Sequence, residues 1–308
     1  MSLKVKSLCW GISLFFASTI NAEEQNYLTF GLSQTQTDYF GNGVSPIKPD
    51  SQLLGYSRQI NDNWLFDLSY EKTSGEGRWL NRDGVLLDIY DQAETKSKTI
   101  GLAISWQTEE YSLDLSYAIV ETDDRSISFI PRILESVTSD DSVSSFSYNR
   151  SVNFDSDAVS QWSLDWTVGA QYAKLDVSIL DVVNTDPVIN VSTAVQQTSW
   201  SGFFDVELSY LIEESEFSWS PYLAGSWNFS VSDRGEELVL ISRGDRQQVS
   251  DEPSGRFSSS FRIPDSGTWD IGISVIWDSG WSADINYGRN VASEFELERL
   301  SFAVSVAF

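Results

Sequence analysis

The chain has 308 residues, 45 acidic against 20 basic, and a formal net charge of −25. That balance excludes a nucleic-acid surface, which rests on clustered lysine and arginine. Its 41 % hydrophobic and 13 % aromatic content excludes a disordered acidic chain. There is no histidine, which removes Ser-His and Cys-His catalytic pairs and the usual zinc ligand sets.

Residues 1–22 read as a secretory signal peptide. Lys4 and Lys6 precede an apolar run from Leu8 through Ile20, and Asn21-Ala22 precedes Glu23-Glu24. The run falls short of the ~20 apolar residues of a spanning helix. Cys9, the single cysteine, lies inside it, so residues 23–308 form one expected domain without a disulfide. No later run is long enough for a transmembrane helix. Entry into a membrane therefore requires a closed β-barrel, because open sheet edges are not satisfied in lipid.

Period-two alternation then recurs along the chain. A first strand lies near 26–36, with Leu28, Phe30 and Leu32 in phase, and a weaker second one over 51–60 (Leu54, Tyr56, Ile60). Asn61-Asp62-Asn63 makes a tight turn into a third strand with Trp64, Phe66, Leu68 and Tyr70. A polar connection, 76–94, leads to a fourth with Ile100, Leu102, Ile104 and Trp106. Glu109-Glu110 turns the chain into a fifth with Tyr111, Leu113, Leu115, Tyr117 and Ile119. Residues 121–142 are acidic and Ser-rich and read as a long loop. The sixth strand, roughly 143–153, rests on Phe146, Tyr148 and Val152, with Phe154-Asp155-Ser156-Asp157 as its turn.

The seventh strand carries Trp162, Leu164, Trp166, Val168, Ala170 and Tyr172 on even positions. A loop around Asn184-Thr185-Asp186-Pro187 leads to the eighth, with Trp200, Phe204, Val206, Leu208 and Tyr210 on one face. After Glu213-Glu214-Ser215 the ninth shifts to odd positions, Phe217 to Val231. The longest expected loop is 233–265. The tenth strand carries Trp269, Ile271, Ile273, Val275 and Trp277. Asp278-Ser279-Gly280 turns into the eleventh with Trp281, Ala283, Ile285 and Tyr287. The twelfth, Leu300 to Phe308, alternates Leu, Phe, Val, Val and Phe with Ser and Ala.

Twelve strands with alternating short and long connections predict an all-β fold: a transmembrane, antiparallel, up-and-down β-barrel with short periplasmic turns and long outer loops. The expected location is the outer membrane of a Gram-negative bacterium. Aromatics near strand ends match interfacial girdles. The outward faces of the seventh to eleventh strands lack charge, as a lipid face requires, where Lys or Arg would cost ~2–4 kcal/mol at the midplane. A soluble sandwich also excludes core charge, but does not need twelve strands with large aromatics pointing one way.

The opposite faces then line a lumen. They carry Asp67, Glu71, Asp114, Asp165, Asp205, Glu207, Asp270 and Asp284, with Asn286. An acidic lumen favours cations, so small cationic solutes are candidate partners. The alternative is a lumen plugged by side chains, with the carboxylates bonded to Ser, Thr and Asn. Catalysis, cofactors and metals are not expected. Paired acids such as Asp205 and Glu207 are more often hydrated than catalytic, and Asp123-Asp124 and Asp140-Asp141 lack the spacing of a calcium loop. Arg243-Gly244-Asp245 matches an adhesion tripeptide by three residues only.

The segment Gly280-Trp281-Ser282-Ala283-Asp284-Ile285-Asn286-Tyr287, followed by a linker and a strand ending in Phe308, resembles the last hairpin of autotransporter β-domains. Pro221-Tyr222-Leu223-Ala224-Gly225 is similar to an earlier strand of that family. The likeness covers about the last ninety residues and implies a twelve-stranded barrel, outer-membrane lipid as its surroundings, and Phe308 as part of the signal read by the barrel assembly machinery. The first strand starts within a few residues of the expected cleavage site, leaving no passenger, so cargo secretion is not carried over. Two functions follow as expectations: a passive cation-preferring pore, or a plugged barrel acting as a surface-exposed structural or adhesive protein through its outer loops.

Overall fold

A computed structural model describes residues 26–39, 49–80, 90–108, 110–129, 132–157, 160–183, 189–243, 246–249, 265–290 and 295–308. The expected signal segment and the 184–187 loop lie outside them, as do Gly244 and Asp245 of the tripeptide. The strands are β1 (Asn26–Tyr39), β2 (Asp50–Asn61), β3 (Trp64–Leu80), β4 (Tyr90–Gln107), β5 (Tyr111–Phe129), β6 (Arg132–Asp157), β7 (Ser160–Val183), β8 (Ile189–Glu213), β9 (Phe217–Arg243), β10 (Arg246–Val249), β11 (Ser266–Trp277), β12 (Trp281–Asn290) and β13 (Phe295–Ala307).

Leaving β10 aside, the twelve long strands close into an antiparallel ring. The seam is β1 against β13, in register from Tyr27↔Ala307 to Tyr39↔Phe295. β10 is a short return strand paired with the far end of β9. Followed once around the ring, the register returns to β1 displaced by about 14 residues, which for twelve strands sets a tilt of roughly 40° and a backbone radius of roughly 11 Å.

The two faces have opposite chemistry, as alternation requires. Outward residues are large and apolar and remain uncovered by the chain itself: Phe30, Ile100, Leu115, Leu223 and Ile271 are all at least 50 % exposed. Inward residues are mostly small or polar, with a few larger ones such as Leu65 and Tyr222. Ser69, Thr73, Ser97, Thr99, Ala103, Ser105, Ala118 and Ser199 are buried against the lumen side. Hydroxyl pairs tie neighbouring strands there, as with Ser51–Thr73 at 2.6 Å, Ser116–Ser145 at 2.7 Å and Thr29–Ser305 at 2.8 Å.

One rim carries tight turns. Asn61 Oδ1 accepts the Asn63 and Trp64 N–H groups at 3.0 and 3.1 Å, an Asx-type turn. Glu214 N–H donates to Phe217 O at 2.9 Å, and Gly280 N–H to Trp277 O at 3.0 Å. The aromatic girdle stands above this rim, with Trp106 edge-on to Tyr111 and Tyr111 stacked on Tyr148.

The other rim corrects the sequence reading. Residues 121–142 are not a long loop: β5 runs to Phe129 and β6 starts at Arg132, in register from Val120↔Asp141 to Phe129↔Arg132. Residues 76–80 and 90–94 are strand as well, with β3 reaching Leu80 and β4 starting at Tyr90, while 81–89 lie outside the described residues. β9 continues to Arg243, so 233–243 is strand, and β10 follows. At the short-turn rim the turn placed at 154–157 is also strand, since β6 runs through Asp157. The physical reason is the same at the outer rim. Beyond the lipid both sheet faces are wet, so apolar alternation is not required, and backbone pairing alone carries the strand.

Candidate functional site

The lumen side holds all eight predicted acids. Asp67 is buried at 7 % exposure and the other seven are half-buried. Asp165 on β7 stands directly opposite Glu207 on β8. Glu207 also lies in the repulsive field of Asp284 and Asp270. Asp67 and Asp114 repel one another across β3 to β5. Carboxylates from six strands thus face one space at mid-barrel height.

Most are held by neutral donors. Asp114 accepts from Ser112 Oγ at 3.2 Å and Ser147 Oγ at 3.5 Å. Asp165 accepts from Ser163 Oγ at 3.1 Å and from Ser151. Asp284 Oδ1 accepts from Tyr222 Oη at 3.2 Å and Asn286 Nδ2 at 3.1 Å, and Ser301 Oγ donates to Asn286 Oδ1 at 2.8 Å. These bonds fix the carboxylates without neutralising them. One buried oxygen, Asp67 Oδ2, has no hydrogen-bond partner among the described residues.

Two glycines make the long reaches feasible. Asp270, Gly288 and Arg299 lie side by side on β11, β12 and β13. With no side chain at 288, Asp270 crosses the middle strand and accepts from Arg299 Nη2 at 2.9 Å. A Cβ on Gly288 would sit 2.0 Å from Asp270 Oδ1. Gly272 on β11 plays the same part for Tyr222, whose ring lies over it on the way to Asp284; a Cβ there would meet the Tyr222 hydroxyl at 2.5 Å.

Arg299 and Tyr222 were not singled out by sequence reasoning. Arg299 has the inward parity of Ser301 and Ala303, which is the signal that could have found it. It is the one inward base on the spanning strands among the described residues, and it attracts Glu71 as well as binding Asp270. Among the described residues no group of three or more metal-ligating side chains is disposed to hold a metal ion.

The pairs Asp123-Asp124 and Asp140-Asp141 lie on strands that continue past the apolar band, not in loops. Asp124 accepts from Thr95 Oγ1 across the β4–β5 pair. Burial pushes its carboxyl above the usual range, Asp123 adds to the rise, and the Thr95 bond opposes it. A carboxyl raised in the folded state binds protons more tightly there than in the unfolded chain. Its stabilising contribution is complete below the unfolded value near 4 and is lost as pH rises through the folded value. Carboxyl NMR titration should place Asp124 above an ordinary aspartate, and Thr95→Val should raise it further. A titration at the ordinary aspartate value in both proteins would contradict this.

No family model matches the chain, and no curated protein matches it in sequence. Solved structures do. The chain is similar to the translocator domain of the autotransporter NalP from Neisseria meningitidis, with a TM-score of 0.63, 10 % identity, and coverage of 94 % of this chain and 90 % of that one. It is similar to the transport unit of AIDA-I from Escherichia coli, at 0.60 and 12 %, covering 96 % and 94 %. The β-domain of the Bordetella autotransporter BrkA gives 0.63 and 11 %, covering 93 % and 100 %. Identities this low speak to the fold. Taken with the closed ring, the short-turn rim and the uncovered apolar face, they show that the chain has the fold of autotransporter β-domains, a closed twelve-stranded barrel of the outer-membrane type.

Proposed function

We propose that the chain is a non-enzymatic barrel of the Gram-negative outer membrane that acts as a passive pore with a cation-preferring lumen. The observation that carries this reading is the charge imbalance inside. Eight carboxylates face the lumen, and Arg299 alone opposes them among the described residues of the spanning strands. A low-dielectric wall around such a lumen concentrates the field on its axis and favours small cations over anions.

Side-chain size supports passage. The inward rows are dominated by Ser, Thr, Ala and Gly, and a wall of such residues on a backbone radius of roughly 11 Å suits a water-filled centre. The unpartnered Asp67 Oδ2 is the kind of group that an entering cation or water satisfies. The uncovered apolar faces support acyl chains as the surroundings, and barrel assembly machinery as the route into them.

Purified protein in planar bilayers under a salt gradient should show single-channel steps and a reversal potential of cation-selective sign. Neutralising Asp67, Asp114, Glu207 and Asp284 together as Asn or Gln removes four of the eight lumen carboxylates, and should cut that potential by about half. Arg299→Gln should move it the other way. Absence of steps would sink the pore; a potential near zero in the unaltered protein would sink its selectivity.

A second reading has its own observation. β5 to β9 continue as paired sheet well past their unbroken outward apolar rows, to Phe129, Val183 and Arg243. Such a wall suits a surface-exposed structural or adhesive protein. Loss of cell binding on deleting 233–249, with conductance absent throughout, would favour it.

A further inference from the structure

The apolar belt is uneven around the barrel. On β3 the outward apolar residues run from Trp64 to Tyr70 and stop at Lys72; on β4 they run from Trp106 to Ile100 and stop at Lys98. On β2 the belt runs from Leu54 through Tyr56 to Ile60, interrupted by exposed Arg58, with Gln52 above. On the far side β8 runs from Ile212 to Trp200 and β9 from Phe217 to Val231. At a tilt of roughly 40° each residue climbs about 2.5 Å, so the belt is about 15 Å high on β2 to β4 and about 30–35 Å high on β8 and β9.

Tilting the whole barrel cannot remove this difference, because tilt moves the upper and lower limits of one side together. The anchors that mark a membrane–water interface follow the belt. Trp64 and Trp106 close its lower edge on the short side, and Lys72 and Lys98 stand directly opposite each other at its upper edge. Neither lysine has an ion-pair partner among the described residues. Glu121 on β5 faces Lys98 from its other side and Gln52 on β2 faces Lys72, so the group keeps a net positive charge at the level where lipid head groups stand. A protein partner is the poorer fit, since lysine is depleted from buried protein interfaces.

We propose that the β1–β4 face, next to the β1–β13 seam, is a bilayer-thinning surface: it draws the two head-group layers together beside it, while the β7–β9 face holds lipid of ordinary thickness. The partner is a phospholipid or lipopolysaccharide leaflet, met at its acyl chains by a belt too short to span it.

The chain's single cysteine is Cys9, so a Cys9→Ser background allows one thiol-linked fluorophore at a time. Tyr70 on β3 and Phe204 on β8 lie at the same height along the barrel, as do Phe66 and Leu208 near the other leaflet. Each is replaced by cysteine, labelled, and refolded into dioleoylphosphatidylcholine vesicles carrying bromine near the head group or near the chain end. Folding of every variant is verified by its heat-shifted gel band. The expected result is that Tyr70 and Phe66 are both quenched about twofold or more better by the head-group-proximal lipid, and Phe204 and Leu208 by the chain-end lipid. Lys72→Leu with Lys98→Leu should deepen the Tyr70 probe. Equal depths on the two faces overturn the proposal. So does one shallow and one deep probe on β3, which is tilt, and so do β3 probes that neither lipid quenches, which is a protein-covered face.

Discussion

Leu223→Arg should destabilise the folded barrel by about 2–4 kcal/mol in vesicles, whereas Ala224→Arg, one residue along, should cost less than about 1 kcal/mol. Leu223 is 54 % exposed on the outward face, near mid-height of the tallest part of the belt. An arginine there must carry its charge into hydrocarbon or snorkel out over a long distance. Ala224 points inward, directly opposite Glu207 on β8. An arginine at that place meets water and a carboxylate that already feels three other acids. Equilibrium unfolding by denaturant in vesicles measures both. Equal penalties would mean that the two faces do not differ in solvent, and would undo the assignment of lipid and lumen sides on which everything else rests.

That assignment was legible from sequence because lipid imposes it residue by residue. Where one face meets acyl chains, every second side chain must be apolar, and Trp162 to Tyr172 or Trp269 to Trp277 carry the pattern without a break. The eight acids followed by parity alone. What could not be read was whatever depends on register between strands far apart in sequence. Asp270 and Arg299 are 29 residues apart, and their contact exists because Gly288 leaves the intervening position open. Nothing in the local pattern of any one strand announces it. The outer extensions were missed for the opposite reason: Glu121 faces Asp140 across β5 and β6, a pairing that intrinsic preference argues against. Those strands are held as continuations of ladders nucleated in the membrane, a tertiary cause that leaves no periodic trace.

Removing Phe308 should separate two roles that the seam combines. Phe308 N–H donates to Asn26 O at 2.9 Å, and Asn26 N–H donates back to Phe308 O at 3.2 Å, the last rung between β1 and β13 at the short-turn rim. Asn26 is itself held by Tyr56, whose hydroxyl donates to Asn26 Oδ1 at 2.8 Å. The Phe308 ring is 68 % exposed on the outward side, so its packing within the chain is slight. Deletion therefore takes two backbone bonds from a seam that still pairs from Tyr27↔Ala307 to Tyr39↔Phe295, a cost of about 1–3 kcal/mol. Purified protein lacking Phe308 should refold into vesicles and keep its heat-shifted gel band. In cells, if the exposed ring is what the assembly machinery reads, the folded species should fall to a small fraction of the wild-type amount. Normal assembly in cells would remove the signal role. Failure of the purified chain to close would show that the Asn26–Phe308 rung is structural, with the seam depending on its terminal pair far more than two exposed hydrogen bonds allow.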